Sequence, residues 1–189
     1  MTTLAQPLHP TQQFTPEEVE QASNRDGKLY ELLDGQLKEK IVGTEALFIA
    51  SRISERLNAS QYPQRGFAAC EVMIYCFDRA NHGRKPDVVF APFDRLPDRR
   101  IPKGDLRFAP DLVVEVLSPG NGGIEVEEKL NEYLEAGVRL VWIVNPDRRT
   151  IRVYRHDGTT HLYHEKDAIE NEPFLPGLRM VVGEVFPAA

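Results

Sequence analysis

A single carboxylate inside a continuous apolar run, residues 111–117, constrains the fold more than any other segment. The run reads DLVVEVL, and such a stretch is typical of a β-strand that is covered on both faces. Glu115 stands alone within it, and an unpaired carboxylate is costly to bury. Either a neighbouring Arg or Lys neutralises Glu115 in a buried salt bridge, or the side chain binds a metal ion or acts as a general base in a cleft.

Hydrophobic periodicity and turn signals predict the remaining elements. Thr15 followed by Pro16 and two acids is typical of a helix start. In chain order we then expect a hairpin over 29–39 with an Asp-Gly turn, a helix of about three to four turns after residue 43, a long strand over 66–77, a short strand over 87–90, a loop over 91–110, a helix over 125–136, strands over 140–144 and 150–154, and a final strand with a closing turn over 174–186. This order predicts an α/β (α+β) fold with a mixed sheet flanked by helices.

The length of 189 residues fits a single domain, which we place at residues 15–189. Residues 1–14 lack the basic start and apolar core of a secretory signal and are interpreted as a short disordered tail. The longest apolar stretches are strand-sized, far below the roughly 20 residues of a membrane helix.

Cys70 and Cys76 fall six positions apart in the predicted long strand, which places them ~20 Å apart and excludes a disulfide. Two unpaired thiols favour a reducing cytoplasm.

Asp87 and Asp111 are the next candidates for a site, since each follows a proline at the entry to an apolar strand. Turn chemistry at a strand entry also explains an Asp at such a place. Asp87 gains weight if its strand lies beside the strand of Glu115, because the two carboxylates then converge. Asp111 shares a face with Glu115, but its Cα lies ~13 Å away along the strand, so it is the weaker candidate.

Lys129 is the candidate cation. On the predicted 125–136 helix it lies at the edge of the apolar stripe, next to Val126 and Tyr133, where it can reach over the end of the preceding strand. The alternative is an exposed Glu125–Lys129 helix pair, which stabilises a helix by only ~0.3–0.5 kcal/mol.

Several segments also carry a family resemblance. The strings KPDVVF, APDLVVEVLSP, VEEKLNEYLEAGVRLVWIVNPDRRTIRVYR and FLPGL, with YELLDGQL near the start, resemble the Uma-type restriction endonuclease family of the PD-(D/E)XK superfamily. The resemblance spans roughly residues 28–187 and is most specific over 110–155. It implies a nuclease core in which Asp87 is the Asp of the PD motif and Glu115 is the following acid. The motif lysine would fall at position 117, which is Leu117 here, and the resemblance implies that Lys129 supplies the amine.

The predicted function is therefore a metal-dependent endonuclease that hydrolyses DNA. Mg²⁺, with Mn²⁺ as a substitute, would bind Asp87, Glu115 and the backbone carbonyl of Val116. Asp111 and Lys129 complete the candidate catalytic set. Basic residues over 79–107 would follow the DNA phosphates, and a homodimer is expected of a nuclease that cuts both strands.

Two alternatives stay open at this point. The first is an inactive nucleic-acid-binding or protein-interaction module that retains the fold. Leu117 favours it, as does the net charge of −6 with a pI near 5.4, since sequence-independent DNA binders usually carry a basic surface. The second is a metal-dependent hydrolase of another phosphoester, such as RNA or a nucleotide.

Overall fold

The computed structural model describes residues 13–118 and 123–188. Three α-helices, three short 3₁₀ helices and ten strands lie within these residues. The helices are α1 (Pro16–Asp26), α2 (Thr44–Gln61) and α3 (Gly123–Glu135). The strands are β1 (Leu29–Leu33), β2 (Gln36–Lys40), β3 (Gly66–Cys70), β4 (Val88–Pro92), β5 (Leu112–Val116), β6 (Leu140–Asn145), β7 (Thr150–Arg155), β8 (Thr160–Tyr163), β9 (Ala168–Glu170) and β10 (Arg179–Val181).

Six strands form the central sheet in the order β3-β4-β5-β6-β7-β8. β5 and β6 are parallel, and every other neighbouring pair in this sheet is antiparallel. The parallel pair is connected through α3, because two parallel strands require a crossover. The sheet is thus mixed and has helices packed against it, which confirms the predicted fold class.

The two faces of the sheet pack against different elements. Val114 and Val116 of β5 point to the face that packs with α2 and the C-terminal segment. Val113 lies on the opposite face, in a second core that includes Tyr133 of α3. Since side chains alternate along a strand, Glu115 shares the face of Val113. The face of β5 that carries Glu115 therefore lies beneath α3.

The N-terminal elements match their local signals. Thr15 precedes α1, and its backbone N–H donates to Glu18 at 2.8 Å, as in a capping box. β1 and β2 form a hairpin around Asp34 and Gly35, and both turn residues have positive φ. α2 spans 18 residues, about five turns, and is longer than predicted.

The predicted tail, residues 1–14, lies mostly outside the described residues. Gln13 and Phe14 are its two described residues, and Phe14 is half-buried. The N–H of Phe14 donates to the carbonyl of Gly35 at 2.8 Å, and its ring packs against a small third core around Leu32. No helix within the described residues is long and apolar enough to cross a membrane.

The prediction of one long strand over 66–77 is wrong. β3 ends at Cys70, and Glu71 adopts φ 55°, a left-handed conformation that stops a pleated strand. The following apolar residues are buried without belonging to a strand. Ile74 lies in the second core and Met73 in the third core. The thiols of Cys70 and Cys76 are unpaired, as expected, although they do not share a strand.

Candidate active site

The adjacent strands β4 and β5 bring Asp87 and Glu115 together. Their antiparallel register pairs Val88 with Val114, and its continuation by one residue sets Asp87 opposite Glu115. Asp87 is buried just before β4, and its Oδ2 accepts the backbone N–H of Val116 at 2.5 Å. The convergence expected from the sequence is present, and both carboxylates lie on the face beneath α3.

Glu115 is buried among polar partners that come from α3. The hydroxyl of Tyr133 donates to Glu115 Oε1 at 2.6 Å, and Lys129 Nζ lies 3.4 Å from Oε1 and 3.3 Å from Oε2. Burial raises the pKa of Glu115, the ammonium of Lys129 opposes this, and the charge of Asp87 adds to it. No arginine forms an ion pair with Glu115 in the described part of the chain. The compensating cation is thus a lysine.

Lys129 is a buried cation held between two carboxylates. Its Nζ lies 3.3 Å from Glu115 Oε2 and 3.3 Å from Glu31 Oε1. Burial alone would lower the pKa of Lys129, but Glu115 and Glu31 together raise it, so the side chain is an ammonium at neutral pH. The alternative of an exposed Glu125–Lys129 pair is wrong, because Lys129 is buried and Glu125 pairs with Lys38 at 2.6 Å.

The N-terminal hairpin contributes Glu31, which our sequence analysis missed. Glu31 is buried and accepts a hydrogen bond from Arg84 at 3.0 Å. Burial would raise the pKa of Glu31, but Lys129 and Arg84 lower it below its ordinary value. The segment LYELL places this acid inside an apolar strand, the same signal that identifies Glu115.

Lys40, at the end of β2, is the other residue missed. Its Nζ donates to Asp87 Oδ1 at 2.8 Å, to Glu71 Oε2 at 2.9 Å and to the carbonyl of Lys85 at 2.6 Å. Although burial opposes it, Asp87 and other nearby carboxylates raise the pKa of Lys40. No local pattern marks this residue, because its partners are distant in sequence.

Together these side chains surround a cavity of about 220 Å³ at the C-terminal end of β5. Glu31, Lys40, Asp87, Glu115 and Lys129 all line it. In the described part of the chain, no group of three or more His, Cys, Asp or Glu side chains is arranged to hold a metal ion. The oxygen donors considered for an ion are the carboxylates of Asp87 and Glu115, which face each other across β4 and β5, and a backbone carbonyl.

That carbonyl belongs to Val116. The N–H and C=O of one residue in an extended strand point to the same side, and the N–H of Val116 points to Asp87. Two carboxylates and a carbonyl are hard oxygen donors that suit Mg²⁺ with retained waters. Lys40 contacts Asp87 Oδ1, so an ion that used this oxygen would have to displace it.

Asp111 does not join this cluster. It lies before β5, at the opposite end from Glu115, between Arg95 at 3.0 Å and Arg139 at 3.3 Å. Burial raises the pKa of Asp111, and both guanidinium groups oppose that shift. Its carboxylate is therefore neutralised by arginines at a separate place on the molecule.

Many of the basic residues within 79–107 are engaged in internal ion pairs. Arg79 pairs with Asp34 and Glu132, Arg84 with Glu31 and Glu132, Arg95 with Asp111, and Arg107 with Glu17. These pairs tie the hairpin and the loop to the rest of the fold. They weaken the expectation that this segment follows DNA phosphates.

Comparison with known proteins gives a family match and a structural match. The model of the Uma2 family, described as "Putative restriction endonuclease", matches residues 16–183. A crystal structure of "a putative nuclease belonging to DUF820" from Anabaena variabilis ATCC 29413 is similar in fold, with a TM-score of 0.71 and 24% sequence identity over 85% of this chain and 90% of that chain. No curated protein matches the sequence.

Proposed function

Because the chain belongs to the Uma2 family of restriction endonuclease-like proteins, we propose that it is a metal-dependent nuclease that hydrolyses DNA phosphodiester bonds. The observation that carries this proposal is the convergence of Asp87, Glu115 and Lys129 on one cavity. Glu115 has no arginine partner among the described residues, and the cation that pairs with it is Lys129. A metal ion can compete with such an ammonium for the carboxylate.

Asp87, Glu115 and the carbonyl of Val116 would hold Mg²⁺, or Mn²⁺ in its place. When bound, the ion would supply positive charge for the scissile phosphate and lower the pKa of an attacking water. Lys40 would have to release Asp87 Oδ1, and its bonds to Glu71 and to the carbonyl of Lys85 offer it a place to remain.

Lys129 would act as a cation and not as a general base. A base must be neutral before it accepts a proton, whereas Glu115 and Glu31 raise the pKa of Lys129. As an ammonium, Lys129 is suited to stabilise the negative charge that develops on the phosphate oxygens in the transition state. In this proposal, Lys129 of α3 takes the role of the motif lysine that the resemblance places at position 117, where this chain has Leu117.

Glu31 and Tyr133 would be positioning residues. Glu31 is the second carboxylate that contacts Lys129, and Arg84 in turn holds Glu31. The buried hydroxyl of Tyr133 has a pKa well above its ordinary value, chiefly because of its burial, so it remains a hydrogen-bond donor to Glu115. These contacts fix the orientation of the carboxylate and the amine relative to each other.

The direct test is nicking of supercoiled plasmid DNA by the purified chain with Mg²⁺ or Mn²⁺. We expect Glu115→Ala to lower the nicking rate at least about 100-fold, the size of effect seen when a group that stabilises the transition state is removed. Glu128→Ala is the matched control, because it removes the same charge from the exposed side of α3. Inert wild-type protein with plasmid, linear and single-stranded DNA would overturn the proposal.

A second candidate is a nucleic-acid-binding module without turnover. Leu117 at the lysine position favours it, as do the contacts that engage both oxygens of Asp87. Binding of DNA and Mn²⁺ by wild-type protein that never cuts any DNA would identify this module. RNA and nucleotides tested in the same assay would separate the phosphoester classes.

Our proposal also includes a cytoplasmic location and a homodimer. The unpaired thiols of Cys70 and Cys76 support a reducing compartment. A dimer would give two sites for the two strands of a duplex, and sedimentation of the full chain with and without DNA would measure it.

A further inference from the structure

The sheet face that carries Glu115 continues beyond α3 as an open surface. Sheet pairing aligns Glu115 with Ile143, Ile143 with Arg152, and Arg152 with Leu162. Directly paired residues project from the same face, so these four side chains form one row across β5 to β8. Strands lie about 4.8 Å apart, which places the Cα of Arg152 ~10 Å from that of Glu115.

A cavity of about 600 Å³ occupies the outer part of this face, on β6 to β8. Its floor is apolar and includes Ile143, Tyr154 and Leu162, while Arg148, Arg152 and His164 supply cationic or polar groups. Its volume is within the range of ligand sites, roughly 300–1,000 Å³. Leu117, two residues beyond Glu115 on the same strand face, lies at the border between this cavity and the candidate active site.

The charge of the cavity differs from that of the whole chain. The net charge is −6, yet no carboxylate is among the described residues that line the cavity. Arg148 and Arg152 form no ion pair with any described residue, whereas their neighbours Arg149 and Arg155 pair with Glu165 and Glu172 at 2.7 and 2.9 Å. The two unpaired guanidinium groups are thus available to an external anion.

We propose that this cavity binds a nucleotide of the substrate strand, next to the phosphodiester that the candidate active site would cut. Arg148 and Arg152 contact its phosphates, and the base packs on Tyr154 and Leu162. Arginines beside an aromatic platform are the usual means of binding unpaired nucleic acid. The separation of ~10 Å from Glu115 suits a nearby nucleotide of the same strand. This inference rests on the proposed nuclease function for the identity of the ligand.

The test is fluorescence anisotropy of a labelled single-stranded oligothymidylate with the full chain in EDTA, where binding is measured without turnover. The double variant Arg148→Ala/Arg152→Ala should bind more weakly, and the slope of log K against log salt should be smaller in magnitude by about 1.4, since each phosphate contact contributes about 0.7 for single strands. Arg25→Ala/Arg65→Ala removes the same charge from exposed sites elsewhere and should keep the wild-type slope.

Tyr154→Leu gives an independent measurement, because it keeps apolar volume but removes the stacking ring. We expect affinity to fall about fivefold to hundredfold, the range for loss of one base–aromatic stack. Wild-type affinity and slope in the arginine double variant would overturn the inference. Binding of free thymidine monophosphate as tightly as the oligonucleotide would also overturn it, because the cavity would then bind a nucleotide and not a strand.

Binding and cutting are scored separately, so the two proposals fail in different ways. If wild-type protein does not cut DNA but the arginine double variant loses oligonucleotide binding, the nuclease proposal fails and the cavity remains a nucleotide site. If wild-type protein cuts DNA and the double variant binds and cuts like wild type, the cavity assignment alone fails.

Discussion

The two ends of β5 handle a buried carboxylate in different ways. Asp111 and Glu115 are four residues apart and project from the same face of one strand. Asp111 lies between the guanidinium groups of Arg95 and Arg139. Glu115 instead contacts the ammonium of Lys129 and the hydroxyl of Tyr133, with Asp87 beside it.

This difference in partners indicates which of the two carboxylates is able to bind a metal ion. A guanidinium is always charged and holds a carboxylate with a planar fork of donors, whereas an ammonium is a point charge on a flexible stem. Asp111 is therefore held in a permanent structural ion pair. Glu115 and Asp87 have lysines as partners, and a divalent cation can compete with a lysine. The comparison predicts that only the Glu115 end responds to metal ions.

The largest expected effect is on the nicking rate, and it should differ between the cation beside Glu115 and the cation beside Asp111. Lys129→Met should lower the rate of plasmid nicking about 100- to 1,000-fold, because it removes the charge that we propose stabilises the transition state. Initial rates at saturating Mg²⁺, with circular dichroism to verify folding, measure it. Arg139→Met, at the Asp111 end, should keep the wild-type rate. Equal losses in both variants would show that the two ends do not differ in function.

A smaller effect concerns Lys40, the cation on Asp87. Lys40→Met should tighten Mn²⁺ binding about tenfold, a typical coupling between two competing ligands, because the ion no longer displaces an ammonium. Titration calorimetry with MnCl₂ measures the affinity. Lys28→Met removes an exposed lysine that pairs with Glu39 and should leave the Mn²⁺ affinity unchanged. Unchanged affinity in Lys40→Met would mean that Lys40 and the cation do not share Asp87.

The smallest effect is on the pH dependence of stability. Burial raises the pKa of Glu115 above its ordinary value of 4.5, so the folded chain holds this proton more tightly than the unfolded chain. The free energy of unfolding should therefore fall as pH rises from 4.5 through the folded pKa, by about 1.4 kcal/mol for each pKa unit. The unfavourable contribution is absent below 4.5 and complete above the folded pKa.

Urea denaturation over this pH range in EDTA, with wild type and Glu115→Gln, isolates the contribution of Glu115. The stability of the variant relative to wild type should rise with pH. Mn²⁺ should reduce the pH dependence of this stability difference, since a bound cation favours the ionised carboxylate. The corresponding difference for Asp111→Asn should not respond to Mn²⁺. An equal response at both positions would contradict the contrast between the two ends.

Local sequence signals were sufficient for β5, for α3 and for three residues that line the cavity. A Pro-Asp pair at the entry to an apolar strand indicated Asp87. An acid inside an apolar strand identified Glu115, and a lysine at the edge of an apolar helical stripe identified Lys129. Glu31 carries the same signal as Glu115 but was missed. A strand of a surface hairpin is expected to have one solvent-exposed face, and an acid on that face needs no compensating cation. The same type of signal therefore identifies buried charge only when the burial of its strand is judged correctly.

Contacts between distant segments could not be read from local patterns. Lys40 and Asp87 are 47 residues apart, and nothing near either residue indicates the other. The strand predicted over 66–77 failed because apolar composition indicates burial but not the element that is buried. Glu71 ends β3 in a left-handed conformation, although it is neither glycine nor asparagine.

The hydrogen bond from the Val116 amide to Asp87 affects how mutations at this site are interpreted. β4 begins at Val88, so on the β4 side of this end of β5 a side chain and not a strand holds the backbone, while β6 pairs with the other side. Replacing Asp87 would alter the path of the main chain as well as remove a ligand. Loss of activity in an Asp87 variant would mix these two causes. Substitution of Glu115 gives the cleaner experiment, because within the described part of the chain its carboxylate contacts the side chains of Lys129 and Tyr133 and no backbone group.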